Sequence, residues 1–271
     1  MTSENERVLD HRAVGDLWDD NAEAWTTLTR LGYDKYRDHI NTPAYMEMLP
    51  DVEGLQGLDV GCGEGHNTRL VAQRGAHLTA LDISSRFVDY AQEQETEEPL
   101  DITYLRASAV DLPLADAGFD FVMATMSMMD VPDQDRAIRE VARVLKPGGF
   151  FQFSILHPCF MTPRFKWVLD EEGRRVAMEC GDYFKTEQGT IEEWIFGSAP
   201  DELKERYKKF RIPRYFHTLS TWLNMLATAG LVIEESAEPY ASDESIAIYP
   251  SLAATRVIAC SLHLRCRKPS R

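Results

Sequence analysis

Three glycines spaced two apart, Gly61, Gly63 and Gly65, follow the apolar run Gly57-Leu58-Asp59-Val60, and a helix-like segment starts at His66. Glycines in such a row supply turn geometry and remove Cβ atoms, so that backbone can press against a ligand. Taken alone, the row fits either a tight turn or a cofactor loop. The next segment favours the loop. Ala76-His77-Leu78-Thr79-Ala80-Leu81 reads as a second strand and ends in Asp82, 21 residues after Gly61. An ionised carboxylate there accepts both hydroxyls of a ribose. Asp59 and Glu64 set two further acids beside the loop, which suits a ligand with cationic groups.

The dinucleotide fingerprint G-x-G-x-x-G needs its third glycine at position 66, which is His66; Gly65 falls one residue early. The form D-x-G-x-G-x-G instead resembles motif I of the class I S-adenosylmethionine-dependent methyltransferases. Further segments resemble that family in the same order. Ala107-Ser108-Ala109-Val110-Asp111-Leu112-Pro113-Leu114 is similar to its adenine loop, and Phe119-Asp120-Phe121-Val122-Met123-Ala124-Thr125-Met126 to its fourth strand. Val144-Leu145-Lys146-Pro147-Gly148-Gly149-Phe150 is similar to its turn into the fifth strand, where proline stops a helix and two glycines permit positive φ. The resemblance covers residues 15–156 and, more loosely, 218–268. It implies the small-molecule, type 11-like branch, with S-adenosylmethionine as cofactor and S-adenosylhomocysteine as product. It also implies cofactor contacts at Asp59, Gly61, Cys62, Gly63, Asp82, Ile83, Ser108, Ala109, Thr125 and Met126. The chain departs from the pattern in two places. Ser108 stands where the family carries an acid, and Met129-Asp130 where many members carry a histidine pair.

The whole chain sets bounds on this reading. Its 271 residues, 44% hydrophobic, suit one sizeable α/β domain with an insertion. A formal net charge of −15 argues against a nucleic-acid substrate, which a basic surface would grip by its phosphates. No apolar run reaches membrane-spanning length, and residues 1–7 are polar, so no membrane partner and a cytoplasmic location are expected. Five cysteines without metal-ligand spacing read as reduced thiols, and no metal is expected. Oligomeric state is not legible.

Strands expected near 57–61, 77–82, 102–106, 119–124 and 150–156 alternate with helices at 66–74, 85–95 and 133–145. That alternation implies a Rossmann-like doubly wound sheet, mostly parallel. A helix at 218–229 and strands at 231–234 and 256–264 complete seven strands, the last antiparallel. Four parts are expected: an N-terminal helical lid (1–50), a cofactor-binding core (51–156), a cap insertion (157–217) and the C-terminal part of the core (218–271). The insertion holds 11 of the 27 aromatic residues and balances 11 Lys/Arg against 11 Asp/Glu in an otherwise acidic chain. It reads either as the substrate pocket or as a peripheral packing element.

The expected reaction moves a methyl group from the sulfonium to an O, S or N atom of a small acceptor. Placement dominates such a step, and a base is needed only where the acceptor must lose a proton. His157, just past strand five, is the candidate base, or else a histidine that fixes the His-Pro turn. Trp25, Tyr36, Arg211, Arg214 and His217 are the candidate substrate contacts, with the arginines as possible clamps for an acceptor anion. A cofactor-binding protein without catalysis and a nucleotide-dependent oxidoreductase are the competing readings.

Overall fold

The computed structural model describes residues 9–186 and 188–270. Residues 1–8, the start of the expected lid, lie outside the described residues, as do Glu187 and Arg271. The chain begins with α1 (His11–Arg30), a π-helical turn at Arg37–Asn41 and α2 (Thr42–Met48). There follow β1 (Gln56–Val60), α3 (His66–Ala72), β2 (His77–Asp82), α4 (Ser85–Glu97), β3 (Thr103–Arg106), β4 (Phe119–Thr125), α5 (Gln134–Val144) and β5 (Leu145–Leu156). The insertion contains β6 (Arg164–Leu169), β7 (Arg175–Gly181), β8 (Gln188–Trp194), α6 (Asp201–Arg206) and β9 (Phe210–Tyr215). Last come α7 (Leu219–Thr228), β10 (Val232–Ala237), α8 (Asp243–Ile248) and β11 (Ser261–Arg267).

Helix starts follow local chemistry. Asp10, Ser84, Asp133 and Thr218 each accept a backbone N–H of the first turn of α1, α4, α5 and α7. The seven-stranded sheet has the order β10-β11-β5-β4-β1-β2-β3. From β3 to β5 its pairs are parallel, and β11 runs antiparallel to both neighbours. The strand order reverses between β1 and β4, and ligands bind such sheets outside the carboxyl ends at that point.

Side chains alternate across the sheet. Leu58, Val60, Phe151, Phe153 and Ile155 face a core shared with α5 and α7. Phe121, Met123 and Phe150 face the opposite core, packed with Tyr45 of α2 and Val71 of α3. The insertion forms two separate hairpins, β6–β7 and β8–β9. The second packs on α1 through a ring cluster, with Trp25 centred 4.9 Å from Phe210 and 5.2 Å from Phe196.

Two expectations shift. The Lys146-Pro147-Gly148-Gly149 segment is an arch inside β5 rather than a turn before it: Leu145 already pairs with Phe119, and the register resumes at Phe150 with Phe121. The final strand starts at Ser261, because residues 250–256 wind into a 3-10 helix that buries Leu252 and Thr255. This segment packs against Ile40 of the π-helical turn.

Candidate active site

The carboxyl ends of β1, β2 and β4 meet at the glycine loop. The Gly61 and Cys62 N–H groups both donate to the Leu81 carbonyl, at 2.8 and 3.0 Å, which holds the loop on the end of β2. Asp82 binds the loop from the side. Its carboxylate accepts the N–H of Gly63 and that of Ser84, each at 2.9 Å. Burial raises this carboxyl to about 6, against the pull of those two donors. A Cβ on Gly61 would lie 2.5 Å from Cβ of Ser127, and its φ is +77°. At Gly63, with φ +56°, no atom stands within 4 Å of the Cβ position, so a side chain there would project into open space.

That space belongs to a cavity of about 650 Å³, within the range of small-molecule sites. Gly61, Cys62, Gly63, Asp82, Ile83, Ser108, Ala109, Thr125 and Met126 all line it, as do Trp25, Tyr36 and Arg214. Met126 adopts φ +53°, uncommon for a residue with a side chain. Its N–H donates to the Ser154 carbonyl at 3.0 Å.

Four expected residues lie elsewhere. Asp59 faces away from the cavity, beneath α3: one oxygen accepts the Thr68 hydroxyl at 2.6 Å, and the other is buried without a partner. Burial raises this carboxyl to about 7. His157 is buried off the cavity, with Nε2 2.7 Å from Glu238 and Nδ1 accepting the Cys159 N–H at 3.2 Å. Those contacts fix the His-Pro turn, the other of the two roles foreseen for it. Arg211 points to solvent beside Glu193, while its backbone N–H and C=O both bond the Asn21 side chain at 2.9 Å. His217 lies 3.1 Å from the Gln134 side chain and borders a small adjoining pocket instead.

Arg214 reaches the cavity, but its charge is already matched. It donates to Asp130 at 2.8 Å and Glu192 at 2.9 Å, almost wholly out of water. Burial works against the guanidinium, yet the two carboxylates outweigh it and raise its pKa. Burial pushes Asp130 up to about 6 even beside that cation. Arg37, on the π-helical turn, bonds Glu64 of the glycine loop at 3.2 Å and Asp38 at 2.7 Å. π-helical turns often sit at functional sites.

Other cavity residues carried no decisive sequence signal. Asp34 lines it, and desolvation raises its carboxyl to about 6. His66 lines it as well, and loss of solvent together with Arg37 lowers its imidazole to about 4. Phe165, Trp167, Trp194, Phe196 and Phe216 bring rings from the insertion. Asp19 of α1 accepts from Ser84, Ser85 and Arg86, tying α1 to the start of α4 beside Asp82. Among the described residues no cluster could hold a metal ion, and no helix is long and apolar enough to cross a membrane.

A doubly wound sheet, a glycine loop on its first strand and an acid ending its second define a Rossmann-like protein that binds a ribose-bearing cofactor. The comparisons narrow the class. A family model described as a methyltransferase domain matches residues 58–153. An S-adenosylmethionine-dependent methyltransferase from Mesorhizobium loti is 32% identical, with a TM-score of 0.67 over 83% of this chain and 96% of that one. The chain belongs to the S-adenosylmethionine-dependent methyltransferases. Among curated proteins, the malonyl-[acyl-carrier protein] O-methyltransferase of Pectobacterium atrosepticum is 34% identical over 46% of this chain and 48% of its own length. The fatty-acid O-methyltransferase of Mycolicibacterium smegmatis is 29% identical over 59% of this chain and 61% of its own length. The chain thus spans roughly half to three fifths of these curated relatives.

Proposed function

We propose that this protein transfers a methyl group from S-adenosylmethionine to a nucleophilic O, S or N atom of a small-molecule acceptor held in the same cavity. One observation carries the reading: a single cavity joins the glycine loop, Asp82 and Ser108 to the ring-lined inner side of the insertion. The residues present suit the cofactor. The Cβ-free position at Gly63 opens a place for it, and Asp82 stands ready to accept ribose hydroxyls. Ile83, Ser108 and Ala109 would meet the adenine, and the loop from Gly61 to Gly63 the amino-acid end. Asp59 would act on the cofactor's cationic end through the field of its buried, half-partnered carboxyl rather than by contact. When bound, S-adenosylmethionine supplies an activated methyl group and a neutral leaving thioether.

The chain's own part is placement. The rings of Trp25, Trp194 and Phe196 shape the acceptor side, and α1 with residues 33–41 covers the cofactor side. In this reading residues 157–217 are the substrate pocket. Where the acceptor must lose a proton, Asp34 is the proposed recipient in place of His157. Its carboxyl lines the cavity and is ionised above about pH 6. The acidic surface supports a small acceptor rather than a nucleic acid.

Calorimetry with S-adenosylmethionine, S-adenosylhomocysteine and NAD tests the cofactor. The first two should bind and NAD should not, and Gly63→Val should abolish binding in a folded protein. Binding of NAD alone would overturn the reading. Release of S-adenosylhomocysteine across a metabolite library then identifies the acceptor.

A further inference from the structure

The cavity wall supplies no free cation of its own to an anion buried within it. It carries five carboxyls, Asp34, Glu64, Asp82, Asp130 and Glu192, against two arginines. Both arginines are already bound to acids, Arg214 to Asp130 and Glu192, Arg37 to Glu64 and Asp38. An acceptor carboxylate placed deep inside would find both of the chain's own cations committed and would lose its hydration, a large cost unless another charge is paired with it.

The rim is different. Arg175 on β7 is exposed and has no carboxylate partner among the described residues. Its guanidinium lies over the ring of Trp167, 4.9 Å from the centroid. It also stands near the Tyr36 hydroxyl and the Cys260 thiol, favouring the ionised form of each against the effect of burial. Trp167, Tyr36 and Cys260 all line the cavity. Three separate segments, the β6–β7 hairpin, the turn after α1 and the approach to β11, therefore converge on one cation that hydrogen-bonds Tyr36 but meets no carboxylate among the described residues. Stacking on an indole limits the guanidinium's freedom and leaves its edge N–H groups for a planar anion.

We propose that the acceptor is a ring-bearing, mostly apolar molecule with one anionic group remote from its accepting atom, and that Arg175 binds that anion at the cavity rim. This rests on the methyltransferase reading for the word acceptor; the rim site itself does not. The apolar end enters between Trp25, Trp194 and Phe196, and the charge stays where water still reaches it. The methyl group then goes to an atom on the buried end, and the anion is left unesterified.

Two fluorescent probes separate charge from ring burial. 8-Anilinonaphthalene-1-sulfonate carries a sulfonate, and N-phenyl-1-naphthylamine is the same ring system without it. Both are titrated into the protein saturated with S-adenosylhomocysteine. Arg175→Gln should weaken the sulfonate probe about tenfold, the scale of one charge-assisted hydrogen bond pair, and leave the neutral probe nearly unchanged. Arg175→Lys should recover part of that loss, and Arg211→Gln, at an exposed site off the cavity, should alter neither probe. An equal effect of Arg175→Gln on both probes, or none on either, overturns the proposal. Calorimetry of S-adenosylhomocysteine on the same samples keeps the two readings apart. Absent binding with an Arg175-dependent sulfonate preference would sink the methyltransferase reading and leave the rim site standing.

Discussion

Asp59→Asn tests how the buried floor of the cofactor site is charged. Asp59 has one oxygen on Thr68 and the other without a partner, and burial lifts its carboxyl from 3.8 to about 7. The folded chain therefore holds this proton more tightly than the unfolded chain. Stability from this group is fully present below the unfolded value and is lost as pH rises toward 7. Between about pH 5.5 and about pH 8 the parent should lose roughly 2 kcal/mol from Asp59 alone, at about 1.36 kcal/mol per pH unit. Asparagine keeps an oxygen for Thr68 and cannot ionise. Its amide group is unsatisfied in place of the free oxygen, a cost of about 1–3 kcal/mol that does not change with pH. Asp34 and Asp130, also raised to about 6, titrate in both proteins and cancel in the difference, whereas Asp82, whose charge helps to raise Asp59, cancels only in part. Urea unfolding at several pH values measures that difference. The parent's advantage over the variant should shrink by about 2 kcal/mol across the window. Parallel curves within about 0.5 kcal/mol would show that Asp59 does not change charge there, and the reasoning from its burial would fail.

Arg214→Ala should destabilise the fold by about 3–5 kcal/mol, because it strands the buried Asp130, whereas the partly exposed Glu192 can turn to water; urea unfolding checks this, and a stable variant with only a raised acceptor KM would restore the clamp role. Gly61→Ala should weaken folding and S-adenosylhomocysteine binding together, since the new Cβ meets Ser127 at 2.5 Å in a positive-φ backbone; scanning calorimetry with and without ligand reads both. Asp34→Asn should remove the acid limb of the kcat profile near pH 6 when the acceptor is a hydroxyl, activity in the parent falling as pH drops through that value. His157→Asn should keep the chemical step and lose stability through Glu238; a kcat loss of a hundredfold in a stable variant would return His157 to the catalytic role.

The sheet and the cofactor edge were legible because their signals are local. Glycine spacing, an acid at a strand end and a proline after a helix each report on neighbours in the chain. Converging them at the carboxyl edges needed only the alternation of strands and helices. The missed placements depend on distant partners. His157 is fixed by Glu238, 81 positions on, and Arg211 by Asn21, 190 positions back. Arg214 looked free because Asp130, 84 positions away, gives no sign in the sequence of pointing at it. Asp59 lies off the cavity because of the alternation of its strand: Leu58 and Val60 face one core, and Asp59 the other side, under α3. Val257-Ile258-Ala259 reads as strand by composition, yet the 3-10 helix at 250–256 sets where β11 begins.

Asp19 and Asn21 stand two residues apart on α1. The first holds the start of α4 next to Asp82, and the second grips both backbone groups of Arg211 as a neighbouring strand would. One half-turn thus couples the Asp82 end of the sheet to the β8–β9 hairpin. Those two regions should exchange amide hydrogens as one cooperative unit. Lifting that hairpin to discharge product would tear α1 from the cofactor edge at the same time. Traffic is therefore expected on the opposite side, at the rim where Arg175 of the β6–β7 hairpin meets Tyr36. On the proposed function, turnover is then expected to be ordered, with the methylated acceptor out first and the spent cofactor second.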